Sequence, residues 1–130
     1  MESEEALRSA EPPWDAIEAL AKSTESMGVT VFARSTDAVY YLAVRCWVGA
    51  FGHHFEDVAS GAANACLAAW LSNQKALPVG NGGATAGFYR VSQGREIQHD
   101  AIIELSVDEN GDVWSGGRVC TAVEGALQWW

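Results

Sequence analysis

The 130-residue sequence predicts a single α+β domain, a mostly antiparallel sheet wrapped around one buried central helix. Three observations carry that reading. The stretch from Ser60 to about Asn73 is rich in helix formers yet has almost no polar side, and a helix apolar all round has to be enclosed. Segments before and after it alternate at period two between turn residues, the pattern of antiparallel strands. The composition, 48% hydrophobic and 19% charged, is a globular balance in a chain long enough to bury its own core.

Residues 1–11 are polar, with three glutamates in the first five positions, and are expected to form a disordered acidic tail. The domain proper is expected over residues 12–130. Pro12-Pro13 suits the start of a helix, with Trp14, Ile17, Leu20 and Ala21 on one stripe and Gly28 as its stop. A short strand, Val29 to Ala33, leads through Ser35-Thr36-Asp37 into a longer one. There Tyr40, Leu42, Val44, Cys46 and Val48 share one face, and Tyr41, Ala43, Arg45 and Trp47 the other. Arg45, the fixed charge in that run, is either a solvated edge residue or a prop for the loop that follows.

The buried helix comes next, with Ala63, Leu67 and Trp70 expected in the core. Beyond it the sequence predicts a glycine-rich loop over Pro78 to Gly83, a strand from Phe88 to Ser92, a turn at Gln93-Gly94, and a strand from Ile102 to Val107. Glu109-Asn110-Gly111-Asp112 signals a hairpin, since Asn-Gly fits the positive φ angles of a tight primed turn. Further strands are expected around Val113-Trp114, over Val119 to Val123, and at Leu127 to Trp130, separated by Gly116-Gly117 and Gly125.

The formal net charge of −9 argues against nucleic acid and anionic membranes as partners, because both demand a cationic face. No apolar run approaches the roughly 20 residues of a membrane span, and Met1-Glu2-Ser3-Glu4-Glu5 has none of the marks of a secretory signal. A cytoplasmic protein is the expectation. Cys46, Cys66 and Cys120, odd in number and widely spaced, read as buried thiols with no disulfide framework.

The segment Phe51 to Ala63 holds the candidate chemistry. It brings Glu56, Asp57 and the Ser60 hydroxyl to the N-terminus of the central helix. Unpaired N–H groups and a partial positive charge at such an end can hold a carboxylate. Ser60 is a natural cap, Gly61 lets a ligand approach the backbone, and Glu56 and Asp57 could transfer protons. Against this, Ser60 could be a plain cap and Asp57 a partner for the helix dipole. His53 and His54 beside these carboxylates match no metal-ligand spacing, so neither metal nor cofactor is expected.

The order of these features resembles the C-terminal domain of PhzF-like (phenazine biosynthesis-like) isomerases, which have the diaminopimelate epimerase-like fold. That family shows an arginine strand followed by Glu-Asp-Pro-Ala-Thr-Gly-Ser-Ala at the central helix. Here Arg45 is followed by Glu56-Asp57-Val58-Ala59-Ser60-Gly61-Ala62-Ala63. The family's Gln-Gly turn matches Gln93-Gly94, and its late Gly-Gly strand pair matches Ser115-Gly116-Gly117-Arg118-Val119 through Glu124-Gly125-Ala126-Leu127. The likeness runs from about Trp14 to the C-terminus. It departs at Val58, where the family has proline, at Ala62, where it has serine, and at Gln98-His99-Asp100-Ala101, where it has Gly-Arg-Pro-Ser. The family's catalytic glutamate and glycine-histidine motif sit in a first domain that these residues do not match.

The resemblance implies an isomerase or cyclase acting on a small, carboxylate-bearing biosynthetic metabolite. Asp57 and Glu56 would be catalytic, and Ser60, Gly61, Ala62, His53, His54, Gln93 and Gly94 would bind the ligand. A homodimer is expected to complete the cleft. The rival reading is a ligand-binding or partner module that kept the fold without the chemistry.

Overall fold

The computed structural model describes residues 1–78 and 87–129. Three helices and six strands follow in the order α1 (Glu4–Ser9), α2 (Trp14–Thr24), β1 (Gly28–Arg34), β2 (Leu42–Ala50), β3 (His53–Asp57), α3 (Gly61–Asn73), β4 (Tyr89–Gln93), β5 (Ala101–Val107) and β6 (Val113–Gly116). The strands form one sheet in the order β1-β2-β4-β5-β6, with β3 also on β2. All pairings are antiparallel except β2 with β4. The α+β architecture with a mostly antiparallel sheet is therefore the expected one. The sheet covers α3 only on its Asn64, Leu67, Ala68 and Leu71 side, however, and Gly61, Ala62, Cys66 and Trp70 are exposed, so the helix is not enclosed all round.

Strand β2 organises the site. Along one edge it pairs with the whole length of β1, from Arg34↔Leu42 to Gly28↔Val48. Its other edge is shared: β4 takes Leu42 to Val44, and β3 takes Cys46 to Ala50. Because β3 runs antiparallel and β4 parallel to β2, their carboxyl ends, Asp57 and Gln93, meet on either side of Arg45.

Alternation along β2 feeds two cores. Leu42, Val44 and Cys46 join Val91, Ile103 and Leu105 beneath Leu67, Ala68 and Leu71 of α3. Ala43 faces the other way, with Ala33, Tyr40 and Leu7 of α1, and α2 covers the same side through Ile17 and Ala21. Burial pushes the Tyr89 hydroxyl in the α3 core up to about 12. Cys46 rises to about 11, first through burial, against a hydrogen bond from Thr30, with the Asp57 and Glu56 carboxylates adding to the rise.

Several expectations are corrected. Residues 1–11 carry helix α1: Ser3 Oγ accepts from Ala6 N–H at 3.0 Å, and Leu7 is fully buried. Arg8 pairs with Glu4 within the helix and with Glu96 in the turn after β4, at 2.7 Å each, and donates to Ser92 Oγ of β4 at 3.3 Å. Burial works against the Arg8 charge, but Glu96, Glu4 and Tyr40 outweigh it and raise its pKa. Trp70 lies on the flank of α3, 51% exposed, because the inward stripe is Asn64, Leu67, Ala68 and Leu71. Cys66 and Cys120 are exposed, and only Cys46 is buried.

The β5–β6 hairpin exists, but Asn110 keeps negative φ and only Gly111, at +87°, is left-handed. Its loop is held by Asp108 Oδ1, which accepts from Asn110 and Asp112 N–H. The strands expected over Val119–Val123 and from Leu127 are absent: residues 117–129 belong to no helix or strand. The loop expected at Pro78 to Gly83 lies, after Pro78, outside the described residues, as does Trp130.

Candidate functional site

His53 to Asp57 form strand β3, joined to β2 by a two-residue turn at Phe51-Gly52 with φ of +55° and +75°. The strand geometry separates the two carboxylates read as a pair. Successive side chains point to opposite faces, so Glu56, opposite Trp47, lies on the α1–α2 side. Asp57, opposite Cys46, lies on the α3 side.

Glu56 is committed to Arg45. Its two oxygens accept from Arg45 Nε at 2.9 Å and Nη2 at 2.7 Å, with both side chains almost wholly buried. Arg45 Nη1 also donates to the carbonyls of Leu7 at 3.0 Å and Ala10 at 2.6 Å, closing the C-terminal end of α1. Of its two readings, Arg45 is the prop and not the solvated edge. The expected catalytic role of Glu56 is corrected accordingly: a carboxylate with both oxygens in a buried bidentate pair holds structure together.

Gln93 and Gly94 fasten the loop that leads into α3. Gln93 is fully buried; its Nε2 donates to the Asp57 carbonyl at 2.7 Å, and its Oε1 accepts from Ser60 N–H at 3.3 Å and Asn64 Nδ2 at 2.7 Å. Gly94 adopts φ +85° under the same loop, where a Cβ would stand 2.5 Å from the Val58 carbonyl oxygen. These two expected ligand-binding residues therefore position the site from behind and do not line it. Asn64, which sequence reasoning missed, completes the fastening by donating to the Ser60 carbonyl at 2.8 Å.

What this framework presents is the N-terminus of α3. Ser60 Oγ caps it by accepting from Ala63 N–H at 3.2 Å. The N–H groups of Gly61 and Ala62, both residues exposed, have no partner among the described residues. The position of a Gly61 Cβ would lie 3.4 Å from Ser115 Oγ of β6, which brings a second hydroxyl to this end. Asp57 stands beside it; among the described residues its Oδ1 accepts only from Ala59 N–H, at 3.2 Å.

The histidines part company for the same reason of alternation. His54 stacks on Trp14 at 5.4 Å and meets Glu18 at 3.0 Å through Nε2, clipping the β2–β3 hairpin to α2. It is thereby removed from the α3 end. His53 shares the Asp57 face but sits at the opposite end of β3. A separate cleft of about 390 Å³, lined by Ala21, Met27, Ala50 and Phe51 among others, touches none of the expected site residues.

No family model matches the sequence, and no curated protein does. Solved structures do. One is a phenazine biosynthesis PhzC/PhzF protein from Clostridium difficile, with a TM-score of 0.63 and 18% identity over 99% of this chain. Another is the Bacillus anthracis phenazine biosynthesis protein of the PhzF family, with a TM-score of 0.57 and 14% identity over 88% of this chain. The chain spans less than half of each, 43% and 38% of their lengths. At these identities the likeness is one of fold: the chain has the PhzF-like, diaminopimelate epimerase-like fold anticipated from its sequence.

Proposed function

We propose that the chain acts as a small-molecule isomerase or cyclase of PhzF-like type on a carboxylate-bearing biosynthetic metabolite. The observation that carries this reading is the pairing of two open backbone N–H groups, Gly61 and Ala62, with the uncommitted carboxylate of Asp57. The pairing lies where the carboxyl ends of β3 and β4 converge on either side of Arg45. The helix end binds the substrate carboxylate. Asp57 accepts a proton from one carbon and returns it to another, a shift that balances without any redox partner. Ser60 holds the helix end in shape, with Gln93 and Gly94 behind it. His53 is left as an approach residue.

In this proposal two copies form a homodimer that turns both α3 ends toward a shared cleft. The exposed free thiols Cys66 and Cys120 fit a reducing, cytoplasmic setting. No helix among the described residues is long and apolar enough to cross a membrane.

A second reading, a binding module without catalysis, is favoured by the capture of Glu56, which among the described residues leaves Asp57 with no acid–base partner within hydrogen-bond reach. Proton exchange separates the two. A panel of unsaturated and aromatic carboxylates is incubated with the protein in deuterated water, and carbon-bound deuterium is followed by mass spectrometry. Catalysis predicts deuterium uptake that Asp57→Asn abolishes, while carboxylates still shift the Gly61 and Ala62 amide signals. Amide shifts with no exchange in the unaltered protein would establish the binding module.

A further inference from the structure

Away from the α3 end, backbone strain gathers in one place. Among the described residues, four other than glycine adopt a left-handed φ: Glu25, Phe51, Lys75 and Gln98. Two of them, Glu25 at +53° and Phe51 at +55°, line the same cleft, the one of about 390 Å³ between the end of α2 and the β2–β3 turn. Each stands where the local geometry favours another residue. Glu25 closes α2 at a position that glycine or asparagine usually takes. Phe51 opens a two-residue hairpin turn with Gly52, and left-handed φ at both central positions selects Asn-Gly. A bulky residue is strained there, and Phe51 is 86% exposed, so burial does not offset the strain. Strain that packing leaves unexplained points to a ligand.

The walls of the cleft are ordered by the fold. Ser26 N–H donates to the Ala21 carbonyl at 3.0 Å, and Gly49 N–H to the Met27 carbonyl at 3.1 Å. At Gly49 a Cβ would stand 2.8 Å from Ile17 Cγ2, so α2 rests directly on β2. Buried Ala21 and Ala50 and half-exposed Met27 give the cleft apolar sides, and its volume falls within the range of small-molecule sites, about 300–1,000 Å³. Along α2, Glu18, Lys22 and Glu25 follow at one-turn spacing and all three line it. The lining thus sets two carboxylates against one ammonium, in a chain of net charge −9. Both favour a cation.

We propose that this cleft binds a small organic ammonium, a cation borne on an apolar body, with Phe51 as its aromatic face and Glu25 as its counter-charge. The apolar sides take the body of such a molecule, and an aromatic face attracts its charged end. The inference depends on neither the proton transfer nor the dimer proposed above, since the cleft shares no residue with the α3 end.

Benzyltrimethylammonium is the probe, titrated against the whole chain and followed by amide NMR, with phenylacetate as the anionic control. The cation is expected to shift the Met27, Gly49 and Gly52 signals saturably in the millimolar range. Phenylacetate is expected to leave those three still, whatever it does at Gly61 and Ala62. Phe51→Asn replaces the strained residue by one the turn favours, so it is expected to raise the thermal midpoint while weakening the cation about fivefold. Glu25→Gln, which keeps the shape and removes the charge, is expected to weaken it about threefold. A merely structural Phe51 would not combine greater stability with poorer binding. Three signals unmoved by the cation overturn the proposal, as do equal shifts by phenylacetate. So does a Phe51→Asn variant that is less stable or that binds the cation as well as the parent.

Discussion

Neighbouring side chains on β3 have opposite fates, and that difference is measurable. Glu56→Gln leaves the buried Arg45 guanidinium with only the Glu96 carboxylate, at 4.0 Å, and breaking a buried pair from one side costs about 3 kcal/mol. Urea titration is expected to show that loss. Asp57→Asn, on the open side with a single turn contact, is expected to leave the midpoint nearly unmoved and to remove activity. The adjacency of the two acids was plain in the sequence, but their separation was not, because the segment was read as a connection and not as a strand of period two. Acid stability gives a second residue-scale test. Burial opposes ionisation of Glu4, yet hydrogen bonds from Ser35, Tyr40 and Arg8 prevail and lower its pKa below 4.5. A lowered carboxylate contributes stability above its unfolded pKa and loses it as pH falls through the folded one. Thermal midpoints are therefore expected to drop below about pH 4.5, and Glu4→Gln to flatten that part of the profile.

At the scale of elements, the loop between β3 and α3 is held by β4, so damage to the turn after β4 should reach the candidate site. Gly94→Ala forces a Cβ to 2.5 Å from the Val58 carbonyl oxygen at φ +85°, a cost on the order of 3 kcal/mol. The expected result is a destabilised protein whose Gly61 and Ala62 amide signals move without ligand; unchanged signals would show that the loop stands without this support. Helix α3 is legible from its helix-forming, apolar composition, but its one-sided burial and the orientation of Trp70 are not, since an all-apolar helix carries no moment to orient it. Helix α1 does have a signal in the sequence: Ser3 is a natural cap, and Glu4 and Glu5 in the first turn and Arg8 in the last are the charges a helix dipole favours. Gln93 was found through its turn with Gly94, but a buried amide that serves three backbone and side-chain partners looks, in sequence, like any polar residue before a glycine.

The whole molecule sets charge against apolar surface. Each copy carries −9, so association works against Coulomb repulsion that salt reduces: the screening length falls from about 30 Å at 0.01 M to about 8 Å at 0.15 M. Sedimentation is expected to show tighter dimers at the higher ionic strength, and the opposite trend would mean that ion pairs hold the interface. The alternation at Val119 to Val123 predicts a strand, but residues 117–129 form none, because a pattern states only that a strand requires a partner and does not provide one. That limit is physical: pairing is non-local, and the sequence of one chain does not distinguish its own edge from a neighbour's.

The parallel contact between β2 and β4, where Leu42 meets Val91, bears on the order of assembly during folding. The β1–β2 and β2–β3 hairpins close over short loops and can form early. The β4–β5–β6 meander can likewise form by itself. The two halves join through that parallel pair, through α3 and through the long-range Gln93 and Arg8–Glu96 bonds, so loop closure has to be met before those contacts reward it. Refolding is thus expected to be limited by the meeting of two preformed halves, with Val91→Ala slowing refolding more than a β1 substitution of equal stability cost.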